Sequence, residues 1–263
     1  MGTPTNIALR LFDIYNRQGF QITSELNSEH VYSDTYIFTR IYQNNRSQTH
    51  HLGIAMREVH FLESLCSLRD IRNIFVIGNS FAFSTFALAL INPQAKVVAI
   101  EIGDEDFTAE WIDRTNRIAR EEGLNITVIK GSSPENNADI INREFDGRID
   151  LAFVDGLHTT AAVEADFESL IPFGHDETMF VFHDVLSFSL TEGLSRVVTR
   201  HPMDGRVFFA TPSGMAVVQK TLPPNYDIFS ETYGCSALVQ IIINAYRAAK
   251  EEEEAKRRQA LSA

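Results

Sequence analysis

The segment IFVIGNSFAFST, residues 74–85, decides the fold, because an apolar run, a glycine and a helical stretch follow one another within it. The apolar run before Gly78 fits a strand that is covered on both faces. Gly78 permits a tight turn where a side chain would clash with an approaching ligand, although a plain strand-to-helix turn would use glycine equally well. FSTFALALI at 83–91 then predicts a helix that ends at Asn92-Pro93.

The same alternation of strand and helix continues downstream. Further strands are predicted at 96–102, 125–131, 149–156 and 177–185, and the predicted helices lie at 106–123, 135–145, 159–173 and about 189–201. GRVFFAT (205–211) and MAVVQKT (215–221) flank the short turn Pro212-Ser213-Gly214, which predicts an antiparallel hairpin. The predicted fold class is therefore α/β: a Rossmann-like, doubly wound, seven-stranded sheet, mostly parallel, with an antiparallel C-terminal hairpin and an N-terminal helical segment.

The chain divides into three predicted parts. Residues 1–70 are predicted to contain N-terminal helices and a lid-like segment, 71–222 the Rossmann core, and 223–263 a C-terminal helical extension. The lid-like segment, 21–53, is polar and irregular in pattern, and it is either a substrate wall or an ordinary surface loop. Its side chains that could contact an acceptor molecule are Tyr32, Tyr36, Tyr42, His50 and His51.

Acidic residues are in excess: 35 Asp and Glu against 23 Lys and Arg give a formal net charge of −12. Nucleic acids and anionic membranes need a basic face, so neither is an expected partner. Without an apolar run of about 20 residues or an N-terminal signal pattern, a cytoplasmic protein is expected. The two cysteines, Cys66 and Cys235, fit a reducing compartment. The apolar faces of the N-terminal helices are compatible with a homodimer.

Polar residues follow the first three predicted strands. Glu101 ends the second strand, about 20 residues beyond Gly78, where an acidic side chain can accept hydrogen bonds from the two ribose hydroxyls of a nucleotide. An ordinary solvated charge is the alternative. Ser132, after the third strand, is positioned to edge an adenine ring. The full G-x-G-x-x-G pattern is absent, which disfavours a nicotinamide oxidoreductase.

Residues 71–221 resemble the class I S-adenosylmethionine-dependent methyltransferase superfamily, on VIGNSFAFST, AIEIG, VIKGSS and the closing hairpin. The resemblance implies S-adenosylmethionine as cofactor, with Glu101 on its ribose and Ser132 beside its adenine. The remaining implied cofactor contacts are Gly78, Asn79, Ser80, Phe81, Ser84 and Asp155. Ala82 stands where the family commonly has glycine, and Ser132 stands where it commonly has aspartate.

The fourth and fifth strands end in FVDGLH (153–158) and VFHDV (181–185). Neighbouring strands lie about 4.8 Å apart, so the ionisable side chains after them would converge at one rim. The four are Asp155, His158, His183 and Asp184. Such a cluster costs desolvation energy unless it binds something. The alternative is that Asp155 touches only cofactor, His158 caps the next helix, and the other two are loop residues.

These two segments are similar to metal-dependent O-methyltransferases, including the sugar- and catechol-modifying branches. The similarity implies a divalent metal held by Asp155, His183 and Asp184, with His158 as the catalytic base. The implied metal is magnesium- or manganese-like. Magnesium prefers oxygen ligands, so the imidazole of His183 would shift the preference towards manganese, iron, cobalt or zinc. The implied reaction is O-methylation of a small hydroxylated molecule: a diol, sugar or phenol. A metal-independent methyltransferase and a non-catalytic nucleoside-binding module remain as alternatives.

Overall fold

The computed structural model describes residues 6–24, 39–48 and 53–234. Its N-terminal elements are α1 (Ile7–Arg17), β1 (Gln21–Ser24), β2 (Thr39–Gln43), β3 (Arg46–Ser47) and α2 (Met56–Cys66). The following elements are β4 (Asn73–Ile77), α3 (Phe83–Ile91), β5 (Lys96–Glu101), α4 (Asp106–Glu122), β6 (Ile126–Lys130), α5 (Asn137–Phe145), β7 (Leu151–Val154), α6 (Thr160–Leu170), β8 (Met179–Phe182), α7 (Thr191–Arg200), β9 (Asp204–Phe208), β10 (Met215–Gln219) and α8 (Tyr226–Tyr233).

The central sheet has seven strands in the order β6-β5-β4-β7-β8-β10-β9. The five strands from β6 to β8 are parallel, and β10 pairs antiparallel with both β8 and β9. The predicted fold class is therefore confirmed, including the C-terminal hairpin. The strand order reverses between β4 and β7, and a ligand crevice is expected at the carboxyl ends of these two strands.

Apolar layers cover both faces of the sheet, which explains why the parallel strands are apolar on both sides. Alternate residues of β4 point to opposite layers. Ile74 and Val76 join the layer that includes α1 to α4, while Phe75 and Ile77 join the layer formed with α5 to α7. The N-terminal helices α1 and α2 pack on α3, so the described part of the N-terminal region shares the first layer with the sheet.

The prediction of irregular structure for 21–53 was wrong for the described residues of that segment. β1, β2 and β3 form a small antiparallel sheet in which Ile22 pairs with Ile41. Thr39 and Ile41 are buried and alternate with less buried neighbours, which is the two-residue period of a strand. The polar residues of TRIYQ hid this period from the hydrophobicity pattern. Tyr42 lies in β2. Tyr32, Tyr36, His50 and His51 lie outside the described residues.

At the other end of the chain, α8 is the described part of the predicted C-terminal extension. Its Phe229 and Tyr233 pack on Phe61 of α2. Cys66 is a buried free thiol, and Cys235 lies outside the described residues. None of the helices within 6–24, 39–48 and 53–234 combines the length and the apolar character needed to cross a membrane.

Candidate active site

One cavity of about 730 Å³ lies at the carboxyl ends of the parallel strands. Ligand cavities usually measure roughly 300–1,000 Å³, so its size suits a cofactor-sized molecule. Every residue that the sequence nominated for cofactor, metal or catalysis lines this cavity: Gly78, Asn79, Ser80, Phe81, Ser84, Glu101, Ser132, Asp155, His158, His183 and Asp184.

The turn after β4 depends on left-handed backbone conformations. Gly78 has a φ of +90°, and a Cβ at this position would collide with the carbonyl oxygen of Asp155. The chain's own backbone therefore requires glycine there, before any ligand is considered. Ala82 also has a positive φ, +64°. That conformation disfavours a residue with a Cβ, so glycine would fit the position of Ala82 with less backbone strain.

Glu101 organises this turn. Its side-chain Oε2 accepts hydrogen bonds from the backbone N–H groups of Asn79 and Ser80 at 2.9 and 2.8 Å. Its Oε1 accepts from the N–H of Gly103 at 3.3 Å. Glu101 is only 8% exposed, so an ordinary solvated charge is excluded. Each carboxylate oxygen can accept two hydrogen bonds, and Oε1 therefore keeps capacity for a ribose hydroxyl.

Two hydroxyl groups in the turn region differ in their hydrogen bonding. Ser80 Oγ is buried and has no hydrogen-bond partner among the described residues, and Ser80 lines the cavity. A buried hydroxyl without a partner is costly, so Ser80 suits a polar group of a ligand. Ser132 Oγ instead donates to Glu135.

A tyrosine of the N-terminal helix supports the same turn. Tyr15, on α1, is fully buried and donates its hydroxyl hydrogen to the carbonyl oxygen of Phe81 at 2.5 Å. Sequence reasoning gave Tyr15 no role at the site. The hydroxyl on an otherwise apolar face was the available signal, because a buried tyrosine usually finds a hydrogen-bond partner.

The four ionisable residues after β7 and β8 do converge. His158 Nε2 lies 3.2 Å from Asp155 Oδ1 and 3.3 Å from Asp184 Oδ2. His183 Nδ1 lies 3.2 Å and 3.4 Å from the same two oxygens. Thr159, not His158, caps α6, so the capping alternative for His158 is wrong. Two imidazoles therefore bracket one pair of carboxylates.

These residues differ in how far they reach the cavity. Asp155, His158 and Asp184 have side chains 17–25% exposed, and they offer ligand atoms within 4.8 Å of one another, a spacing that could hold a metal ion. His183 is only 4% exposed. Asp184 has a φ of +58°, a left-handed conformation that aspartate adopts more readily than most other residues.

A buried glutamate from the N-terminal region completes the cluster. Glu58, on α2, has none of its surface exposed, and its Oε2 lies 3.0 Å from His183 Nε2. Glu58 also accepts hydrogen bonds from the backbone N–H groups of Ala55 and Ser213. Sequence reasoning missed Glu58. The signal was its spacing in phase with Leu62 on the buried face of α2, where a carboxylate needs a partner.

Electrostatics set the charge of the cluster. Burial works against the charged imidazole of His183, but Asp184, Asp155 and Glu58 raise its pKa well above the usual value. Burial also opposes the charged form of His158, whose pKa is nevertheless raised by Asp155 and Asp184. For Asp155, burial opposes ionisation, yet the two imidazoles bring its pKa well below the usual value. In the protein alone, the carboxylates thus favour the charged form of both imidazoles.

Comparisons with known proteins find a similar domain and similar folds. The family model described as a methyltransferase domain matches residues 76–185. Comparison with curated protein sequences gives no match. Similar solved structures include an O-methyltransferase from Bacillus cereus in complex with S-adenosylhomocysteine (SAH), at 19% identity and a TM-score of 0.52, covering 64% of this chain and 82% of that chain.

Two further similar structures are bound to a cofactor or its product. The O-methyltransferase TomG of tomaymycin synthesis from Streptomyces achromogenes, with S-adenosylmethionine (SAM), has 18% identity, a TM-score of 0.52, and coverage of 65% and 83% of the two chains. The SAH-bound methyltransferase PaMTH1 from Podospora anserina has 11% identity, a TM-score of 0.56, and coverage of 84% and 98%. Residues 76–185 thus match a methyltransferase domain, and the fold of the chain is similar to that of these S-adenosylmethionine- and SAH-bound methyltransferases.

Proposed function

We propose that this methyltransferase transfers a methyl group from SAM to a hydroxyl oxygen of a small acceptor (a diol, sugar or phenol), assisted by a divalent cation. The observation that carries the proposal is the rim of the cavity, where Asp155 and Asp184 share two imidazoles. Two of the similar structures, both under 20% identical, are O-methyltransferases, which agrees with oxygen as the target.

The cofactor proposal is supported by the chemistry of the cavity. SAM supplies an electrophilic methyl group on its sulfonium sulfur. The unpartnered Ser80 hydroxyl suits the polar methionine portion, and Glu101 has capacity for the ribose. The turn from Gly78 to Ser84 and the Asp155 side chain border the same cavity as Ser132. These residues would hold SAM in one position, so that an acceptor bound at the rim could approach its methyl group from one side.

The proposed cation ligands are Asp155, Asp184 and Nδ1 of His183. Metal-binding histidines usually give their second ring N–H to a carboxylate, which fixes the ring. Glu58 offers that partner to Nε2 of His183. Two carboxylates with one imidazole suit a manganese-like ion better than magnesium. A cation at this point would bind the acceptor's hydroxyl and lower its pKa.

The proposed base is His158. It is the more exposed of the two imidazoles, and its ring stacks on Phe188 at a centroid distance of 4.3 Å. Its Nε2 faces Asp155 and Asp184, so Nδ1 is the nitrogen that would accept the acceptor's proton. Positive charge bound to the two carboxylates would favour the neutral ring that this role requires.

A metal-independent methyltransferase is the second candidate. In the protein alone, two imidazoles with raised pKa already face the carboxylates Asp155 and Asp184, so charge is partly balanced without a cation. His158 would then still be the base. The non-catalytic binding module, a third reading, predicts cofactor binding without any turnover.

The test combines calorimetry with a methyl-transfer assay. We expect SAH to bind and NAD not to bind. Transfer from labelled SAM to a panel of catechols and sugar diols should fall at least about 100-fold with EDTA and return with Mn²⁺. Asp155→Ala and Asp184→Ala should abolish the Mn²⁺ dependence of acceptor binding. Unchanged turnover in EDTA would favour the metal-independent candidate, and SAH binding without turnover on any acceptor would favour the binding module.

The two histidines are separated by a matched pair of variants. We expect His183→Ala to weaken Mn²⁺ binding, measured by titration without substrate. His158→Ala should keep the Mn²⁺ affinity within about threefold of the wild-type value, while it lowers kcat by about 100-fold or more. The opposite pattern would exchange the two roles and reject the assignment made above.

A further inference from the structure

The charged residues that line the cavity are mostly acidic. Among the described residues that line it, there is neither lysine nor arginine, and the acids are Glu101, Asp104, Glu105, Asp155, Asp166 and Asp184. The histidines of this lining are His158 and His183. The undescribed residues of the lid-like segment, 25–38 and 49–52, contain no lysine or arginine in their sequence. The lining therefore offers an anionic ligand group no cationic side chain except these two imidazoles.

The two imidazoles are already engaged with carboxylates. Each of them contacts both Asp155 and Asp184. Lys130, which directly precedes the lining residue Gly131, is exposed and does not itself line the cavity. The proposed divalent cation would be used by the reacting hydroxyl. A phosphate, sulfonate or carboxylate group that entered the cavity with the acceptor would therefore lose its water without gaining a positive partner.

Two exposed apolar side chains lie next to the proposed base. Phe188 is 50% exposed, and its ring stacks on the ring of His158 with the centroids 4.3 Å apart. Leu157, which directly precedes His158, is 70% exposed. Both residues line the cavity, where large apolar side chains in contact with water favour a ligand that covers them. An aromatic ring suits such a surface, whereas a sugar would bring hydroxyl groups that need hydrogen-bond partners.

We propose that the cavity selects its acceptor by charge as well as by shape: the acceptor is a phenol or catechol without an anionic group, and analogues whose phosphate, sulfonate or carboxylate group would enter the cavity are rejected. The inference rests on the proposed function and narrows its acceptor from diols, sugars and phenols to one class. The apolar contact with Phe188 and Leu157 favours the aromatic ring. The absence of lysine and arginine from the described lining disfavours charged competitors.

The test compares three catechols that differ in the charge at the end of one short side chain. They are 4-ethylcatechol, 4-(2-aminoethyl)catechol and 2-(3,4-dihydroxyphenyl)ethanesulfonate. A sulfonate is a weak metal ligand, so it reports the effect of charge and not competition for the cation. With labelled SAM, kcat/KM for the sulfonate should be at least about tenfold below that for 4-ethylcatechol, and the ammonium compound should stay within about threefold of 4-ethylcatechol.

A charge-adding variant and its matched control sharpen this test. Leu157→Lys places a cation beside the proposed base at an exposed position, and it should raise kcat/KM for the sulfonate relative to 4-ethylcatechol by about fivefold or more. Ile228→Lys, on α8, adds the same charge at a position that is 66% exposed and outside the cavity, so the ratio should not change. Phe188→Ala should raise KM for 4-ethylcatechol about tenfold and leave SAH affinity, measured by calorimetry, unchanged.

The outcomes separate this inference from the proposed function. Equal kcat/KM for the three catechols with wild-type protein would overturn the selection by charge, and so would equal ratios in Leu157→Lys and Ile228→Lys. Faster methyl transfer to a sugar diol than to 4-ethylcatechol, or an unchanged KM in Phe188→Ala, would overturn the aromatic assignment and leave the proposed O-methylation intact. SAH binding without methyl transfer to any hydroxyl compound would overturn the inference and the proposed function together.

Discussion

Aspartate–histidine contacts lie at both ends of β7 and β8. Before these strands, His175 Nε2 lies 2.9 Å from Asp150 Oδ1. After them, both His158 and His183 contact Asp155. The residue types and distances are similar, yet only the second group lines the cavity.

The difference is the number of donors for each carboxylate. Asp150 Oδ2 accepts from the backbone N–H groups of Arg72 and Asn73, so this aspartate is satisfied within the chain. At the carboxyl end, the side chains of Asp155 and Asp184 have only the imidazoles of His158 and His183 as partners among the described residues. An aspartate–histidine contact is therefore not by itself a site. The cluster after β7 and β8 differs in two ways: its carboxylates have too few donors within the chain, and it lies at the end of the sheet where ligands bind.

The largest expected effect is on methyl transfer, and it follows a change at the carboxyl end of the strands. Asp155→Asn should lower kcat/KM by about 1,000-fold or more, because the cation and both imidazoles lose a shared charge. Asp150→Asn, the matched change at the amino end, should leave kcat/KM within about twofold. Steady-state methyl transfer measures both, and equal losses would show that the two contacts do not differ in function.

The next effect concerns stability at the amino end. Asp150→Ala should lower the free energy of unfolding by about 1–3 kcal/mol, since two backbone N–H groups lose their acceptor. Urea denaturation measures this change, with kcat of the remaining folded protein as the control. A loss of kcat without loss of stability would contradict a purely structural role for Asp150.

A smaller effect concerns the contribution of Glu58 to cation binding at the carboxyl end. Glu58→Gln should weaken Mn²⁺ binding by about tenfold, because the His183 ring loses its ionised partner. The amide oxygen can keep only one of the two backbone N–H contacts of residue 58, which the two carboxylate oxygens share in the wild type. Glu63→Gln, an exposed change on the same helix, is the control and should have no effect. Unchanged Mn²⁺ affinity in Glu58→Gln would remove Glu58 from the proposed cation site.

The smallest effect concerns support of the cofactor turn from α1. Tyr15→Phe should weaken SAH binding about threefold to tenfold, because one buried hydrogen bond to the Phe81 carbonyl is lost. Tyr233→Phe also removes a hydrogen-bonded hydroxyl, but its partner is the carbonyl oxygen of His60 in α2 and not the turn, and it should leave SAH affinity unchanged. Calorimetry compares the two, and equal behaviour would argue against a specific role for Tyr15.

The core of the fold could be predicted because its signals are local and periodic. The helix predicted at 83–91 has those bounds in the structure, and the strand predicted at 96–102 ends within one residue of β5. The sequence analysis did not predict β2, TRIYQ, as a strand. Its polar residues hide the apolar alternation, and they are accommodated by pairing with β1, which lies elsewhere in the sequence. Pattern reading detects periodic apolar residues but not polar residues that pairing makes acceptable.

The sequence by itself determined the alternation of strands and helices, the glycine after β4 and the polar residues at the strand ends, because each depends on neighbours within a few positions. Only the tertiary structure decided that Glu58 meets His183 and that Tyr15 holds the Phe81 carbonyl. These contacts join residues from separate elements. Their partners and their burial are set by packing, which no local pattern records.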